Sequence, residues 1–149
     1  MKIYRLTKTK YATDLSGEGA KINGGRWNDE GIACIYAGST RAICVLEFAV
    51  HVQRENIPKN LSMVEIYIPN SNNILKFTAK NLPYNWTDEY ISQKIGSSVL
   101  NENKFLLVQI PSVIIPDEFN FLINPNHQDF HTIKIRQIES FELDKRVKI

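Results

Sequence analysis

The stretch Ala42-Ile43-Cys44-Val45-Leu46-Glu47-Phe48-Ala49-Val50 is the most apolar run of the chain and contains no Gly or Pro. It reads as a helix, and Ser39 or Thr40 just ahead of it is a suitable cap. On a helix, the side chains one turn from Glu47 are Ile43, Cys44, Val50 and His51, so no Lys or Arg on the same helix neutralises the carboxylate. A carboxylate on a buried face must find a cation or hydrogen-bond donors elsewhere in the fold, or take up a proton. Such groups concentrate in clefts where chemistry takes place. A helix end that reaches solvent and a structural Glu–Arg pair are the other readings of Glu47 alone.

Outward from this helix, the pattern changes from helical to strand-like. Ile3 to Leu6 reads as a short opening strand, and Ile32 to Tyr36 as a second one leading into the helix. Met63 to Ile68 alternates, with Val64, Ile66 and Ile68 on one face. Asp88 to Ile95 reads as a short helix stopped at Gly96. Phe105 to Ile110 is a buried strand broken at Pro111-Ser112. Ile133, Ile135 and Ile138 mark a late strand, and Phe141-Glu142-Leu143 another. Residues 16–25 carry four of the seven glycines and read as a loop. With no internal repeat and no linker, the expectation is one strand-rich α+β domain over residues 1–149 with a few helices.

Composition narrows the function classes. A chain of 149 residues with 43% hydrophobic and 23% charged residues is an ordinary globular chain. A net charge of +2 with scattered basic residues gives no footprint for nucleic acid. The two cysteines, Cys34 and Cys44, lie in apolar runs and read as buried thiols rather than a disulfide framework. The N-terminus turns polar at once, and no apolar run approaches the ~20 residues needed to span a bilayer. The reading is a cytoplasmic protein without a membrane segment.

Several familiar sites are disfavoured. Ser16-Gly17-Glu18-Gly19 is not followed by the Lys-Ser/Thr of a P-loop. His127 and His131 stand four apart beside Pro125, with no third ligand for a zinc site. No Gly-x-Ser-x-Gly is present. Gly24-Gly25-Arg26-Trp27-Asn28 is more suggestive: glycines allow close approach to a ligand, Arg26 offers a planar fork for phosphate oxygens, and Trp27 offers a stacking face. A turn with a surface Arg and a core Trp is the plainer reading. Tyr36 ends a strand ahead of the tight Ala37-Gly38-Ser39 turn, where sites are commonly built, although a core tyrosine also fits. Ser112 follows Pro111 in a strand break, with its hydroxyl directed either into a local turn or into a cleft.

The order and spacing of these pieces resemble the RES domain, the toxin of RES–Xre toxin–antitoxin pairs. The resemblance runs through Tyr4-Arg5, Ser16-Gly17-Glu18-Gly19-Ala20, Gly24-Gly25-Arg26-Trp27-Asn28, Tyr36-Ala37, Leu46-Glu47, Gln93, Gly96, Val108, Pro111-Ser112, the stretch from Asn120 to His127, and the stretch from Phe141 to Val147. Arg26, Glu47 and Ser112 match the three name-giving positions. After Gly96 the family pattern has an acidic residue and then a Trp, whereas this chain has Ser97 and Val99.

The resemblance implies a fold similar to ADP-ribosyltransferases and an enzyme that consumes NAD as substrate, with no separate cofactor and no metal. It implies cleavage of the nicotinamide–ribose bond with water or phosphate as acceptor, or transfer of ADP-ribose to a protein. Glu47 would face the cationic ribose, Arg26 the pyrophosphate, and Tyr36 and Trp27 the substrate. Ser112 would bond the substrate or orient Glu47. The implied partner is a helix-turn-helix antitoxin of the Xre type, with room for a homodimer in the complex. A reading of a different class is a non-catalytic module that binds a nucleotide or the antitoxin.

Overall fold

The computed structural model describes residues 1–69 and 74–147. Strand β1 (Lys2–Lys8) opens the chain with Ile3 fully buried. Residues 16–25, expected as a loop, instead hold a short helix, α1 (Glu18–Asn23). Two of the glycines that suggested a loop bracket it: Gly17 precedes it at φ 74° and Gly24 follows it at φ 68°. Both angles are in the left-handed region that glycine adopts without strain.

Strand β2 (Ile35–Gly38) begins later than expected. The reason is local: the Ile32 carbonyl accepts from Asn28 Nδ2 at 2.9 Å, and the Ile32 N–H bonds Asp29 O at 3.2 Å. Ile32 therefore has no groups left for a ladder. Helix α2 (Arg41–His51) follows, with the Thr40 side chain accepting from Ile43 N. A cap of this kind is worth about 1 kcal/mol. Strand β3 (Leu61–Tyr67) and the short strand β4 (Ile74–Lys76) come next.

Helix α3 (Glu89–Glu102) runs through Gly96 rather than stopping there. A Cβ at Gly96 would lie 1.9 Å from the Trp27 carbonyl oxygen, so the glycine lets α3 rest directly on that backbone. The helix ends instead at Asn103, which adopts a left-handed φ of 55°. Strands β5 (Leu107–Pro111) and β6 (Phe119–Ile123) form a hairpin-like pair, and β7 (Lys134–Phe141) closes the chain. The sequence reading assigned no strand to β6. The separate strand expected at residues 141–143 does not form: Phe141 is the last residue of β7 and pairs with Leu61 at the start of β3.

The seven strands form one sheet in the order β4-β5-β6-β2-β1-β3-β7, parallel only between β4 and β5. The result is an α+β fold. Alternating residues feed two cores. Ile3, Ile35, Val64, Phe121 and Ile123 lie in one, while Trp27, Leu100, Val108 and Leu122 lie in the other, with Trp86. Among the described residues no helix is long and apolar enough to cross a membrane.

Gly96→Ala tests the α3 contact. Alanine raises helix propensity by about 1 kcal/mol, but the clash should outweigh this and leave a net loss of about 1–3 kcal/mol. Urea unfolding checks the sign, and a stabilised variant would contradict the packing described.

Candidate active site

β1 pairs with β3 over seven residues, but with β2 at a single position, Tyr4 opposite Gly38. Past that point the two strands part. The opening is a cleft of about 720 Å³, lined on either side of the split by Arg5 and Leu6 and by Tyr36 and Ala37. That volume is typical of a small-molecule or cofactor site, about 300–1,000 Å³. Arg26, Glu47, His51, Glu89 and Asn120 also line it.

Glu47 stands in the cleft with its side chain 25% exposed. The donors that its buried position demands come from the far half of the sheet. Ser112 Oγ donates to Oε1 at 3.0 Å, and Asn120 Nδ2 donates to the same oxygen at 2.7 Å. Oε2 accepts from neither and lies 3.9 Å from His51 Nε2. Ser112 is itself pinned, because its Oγ accepts from the N–H groups of Ile114 and Ile115, both at 3.1 Å. Buried at 4% exposure, this hydroxyl holds the carboxylate and the following turn. It is a positioning group: its proton is directed to the Glu47 carboxylate and its oxygen is taken up by two backbone N–H groups.

Arg26 enters from the segment after α1. α3 grips the backbone of that segment: Ser92 Oγ donates to Arg26 O at 2.8 Å, and Gln93 Nε2 donates to Gly25 O at 3.0 Å and Asn28 O at 3.1 Å. Among the described residues the guanidinium makes one bond, from Nη1 to Thr87 O at 3.0 Å, and it lines the cleft. Tyr36 stabilises the same segment. Its hydroxyl donates to Asn28 Oδ1 at 2.6 Å and accepts from Trp27 N at 3.0 Å. Gly25 has to be glycine here, since a Cβ would lie 2.6 Å from that hydroxyl. Burial raises the Tyr36 pKa well above the ordinary phenol value, so it remains a neutral donor.

Trp27 also lines the cleft, but the residue is 2% exposed and its ring packs inward against Trp86 at 6.2 Å between centroids, rather than standing open as the stacking face expected of it. It is the core Trp of the plainer reading, and its large apolar area goes to anchoring the segment. Arg26, Trp27, Tyr36 and Glu47 thus all line the cleft, the Trp27 ring packed inward on Trp86, and Ser112 acts from behind Glu47.

Two residues had no role assigned from sequence. Asn120 is one: it sits on β6, on the same face as Leu122, which a recognised strand would have placed toward the helix. Arg5 is the other. It lines the cleft beside the strand split, and its Nη1 donates to the Asp14 backbone carbonyl at 2.7 Å. Burial lowers its pKa, an effect Asp14 only partly offsets. Arg5 thus adds a second guanidinium to the cleft lining, with Arg26.

The remaining sequence candidates are accounted for by structure. Both cysteines are free and buried, and burial pushes each thiol up to about 12, too high for a thiolate nucleophile. His127 Nδ1 accepts from Asp129 N at 3.0 Å, and its Nε2 faces Lys104 O at 3.3 Å. Ser97 and Val99 do not line the cleft: Ser97 Oγ accepts from Asp29 N at 2.8 Å, and Val99 packs on the Trp27 core.

The RES domain family model matches residues 2–144, and the chain belongs to that family. The "Prs ADP-ribosylating toxin" of Sphingobium sp. (strain YBL2) is 42% identical over 147 residues, covering 94% of this chain and 90% of that protein. A "Toxin Res" of Yersinia enterocolitica is 34% identical over 153 residues, covering 99% and 100% of the two chains. The fold also matches a chain of the M. tuberculosis MbcT–MbcA toxin–antitoxin complex, with a TM-score of 0.76, 20% identity and coverage of 94% of this chain and 83% of that one.

Tyr36→Phe keeps the ring but strands Asn28 Oδ1 and the Trp27 N–H, which should cost about 1–3 kcal/mol. Denaturant unfolding measures it. A melt indistinguishable from the parent would show that the hydroxyl does not hold the Arg26 segment.

Proposed function

We propose that this protein is the toxin of a type II toxin–antitoxin pair and consumes NAD at the nicotinamide–ribose bond, passing the ADP-ribosyl group to water or phosphate. The observation that carries the reading is the state of Glu47: one oxygen fixed by Ser112 and Asn120, the other open to the cleft. Breaking the bond between nicotinamide and ribose C1′ sends the electron pair out with neutral nicotinamide and leaves an oxocarbenium-like ribose. A carboxylate held in advance stabilises that cation without reorganising at the moment of reaction. Nicotinamide leaves without needing a proton, so the lack of a buried general acid is no obstacle.

The other charged groups suit the rest of the substrate. Arg26 and Arg5 enter the cleft from different elements and offer planar forks for the pyrophosphate oxygens. Tyr36 shapes the wall nearest them. NAD is the substrate in this reading, and neither a cofactor nor a metal takes part.

A second acceptor is favoured by one comparison, the relative named as an ADP-ribosylating toxin. The same cleft would then transfer ADP-ribose to a protein nucleophile. The antitoxin of this pair would be a helix-turn-helix protein of the Xre type that covers the cleft. Support for an antitoxin comes from the solved toxin–antitoxin complex that shares the fold and from relatives named as toxins. A non-catalytic binding module is the weaker reading, because it gives no reason to hold a carboxylate open beside two arginines.

Incubating the purified protein with NAD, with and without phosphate, and weighing the products by mass spectrometry tests the activity and its acceptor together. Glu47→Gln should fold normally and lose about 10²–10³-fold in kcat. Arg26→Lys should chiefly raise KM, since lysine keeps the charge but loses the fork. A folded Glu47→Gln protein with near-parental turnover would sink the assignment.

A further inference from the structure

His51 is the last residue of α2, one helical turn beyond Glu47. It lines the same cleft, its side chain is 65% exposed, and its Nε2 lies 3.9 Å from Glu47 Oε2. Among the described residues neither ring nitrogen makes a hydrogen bond, unlike those of His127, which are tied to the backbone. We propose that His51 is the proton acceptor for the attacking nucleophile, and so favours water as the acceptor. This inference rests on the NAD-consuming reading given above.

The need for such a group follows from the roles already filled. After nicotinamide departs, water attacks ribose C1′; the new C–O bond forms and one water proton must leave. Glu47 is poorly suited to keep that proton, because protonation would discharge the anion that faces the cationic ribose. Its Oε1 is also occupied by Ser112 and Asn120. His51 Nε2 takes the proton from the open side of the carboxylate and passes it to solvent, to which the ring is exposed. The imidazolium formed lies in the last turn of α2, where the helix dipole favours a cation. The products are ADP-ribose, nicotinamide and one proton, so the step balances.

The charged groups that share the cleft are Glu47 on the same helix, Arg5 from β1, Arg26 after α1 and Glu89 from α3. Glu47 is the near neighbour, with Oε2 3.9 Å from His51 Nε2.

Phosphate provides a control that a purely structural role would not reproduce. Its dianion attacks with no proton to lose, so phosphorolysis does not require the imidazole. In His51→Gln, hydrolysis should fall about 10²-fold with KM for NAD unchanged. Phosphorolysis at pH 8 should persist, turning the product from ADP-ribose to its phosphate ester. Hydrolysis at the parental rate overturns the proposal, as does a parallel loss of both reactions. A parent protein that consumes NAD only with phosphate also overturns it, leaving the NAD-consuming reading intact. A parent that does not consume NAD defeats both. If His51→Gln melts early, His51→Ala with added imidazole replaces it: recovered hydrolysis supports the assignment, and no recovery overturns it.

Discussion

One oxygen of Glu47 receives both the Ser112 hydroxyl and the Asn120 amide, and these two bonds are the constraint around which the site is built. They reach 65 and 73 residues along the chain, from α2 to the end of β5 and to β6. Hydrogen bonds to a charged group are worth about 1.5–3 kcal/mol, and leaving a buried charge without them costs more. The carboxylate therefore ties helix to sheet while keeping its second oxygen free. The interaction that makes Glu47 tolerable in a mostly apolar helix is the one that aims it.

The sheet provides the space in front of that oxygen. Because β1 and β2 share only the Tyr4–Gly38 pair, the two halves of the sheet part beside α2 and leave the cleft between them. α3 supplies the opposing charge indirectly. Its Ser92 and Gln93 side chains hold the backbone that presents Arg26, and Gly96 lets the helix come close enough to do so. Negative charge on the helix side and positive charge from β1 and the segment after α1 match a substrate with a cationic leaving end and an anionic middle.

Glu47 was legible in the sequence because a lone carboxylate in an apolar helix has few explanations. Its helix and the Thr40 cap were legible for the same local reasons. Its donors were not, because nothing in the local pattern around Ser112 or Asn120 says which helix will cover them. Glycine misled in two directions: Gly17 and Gly24 bracket a helix that their density disguised as a loop, and Gly96 marks a packing contact rather than a helix end. Trp27 illustrates the limit of reading a residue type by its chemistry. A tryptophan beside an arginine suggests stacking on a ligand, yet burial of its large apolar ring against Trp86 won. Arg5 looked like an ordinary strand residue until the single-pair contact between β1 and β2 placed it at the mouth of the cleft.

The central claim is that Glu47 faces the ribose carbon from which nicotinamide departs. The most direct measurement is a crystal structure of the Glu47→Gln protein with intact NAD. The account predicts NAD in the cleft with the nicotinamide ribose C1′ against the residue 47 side chain, the pyrophosphate between Arg5 and Arg26, and Ser112 still bonded behind residue 47. NAD bound with its pyrophosphate at residue 47, or seated outside the split between β1 and β2, would contradict it.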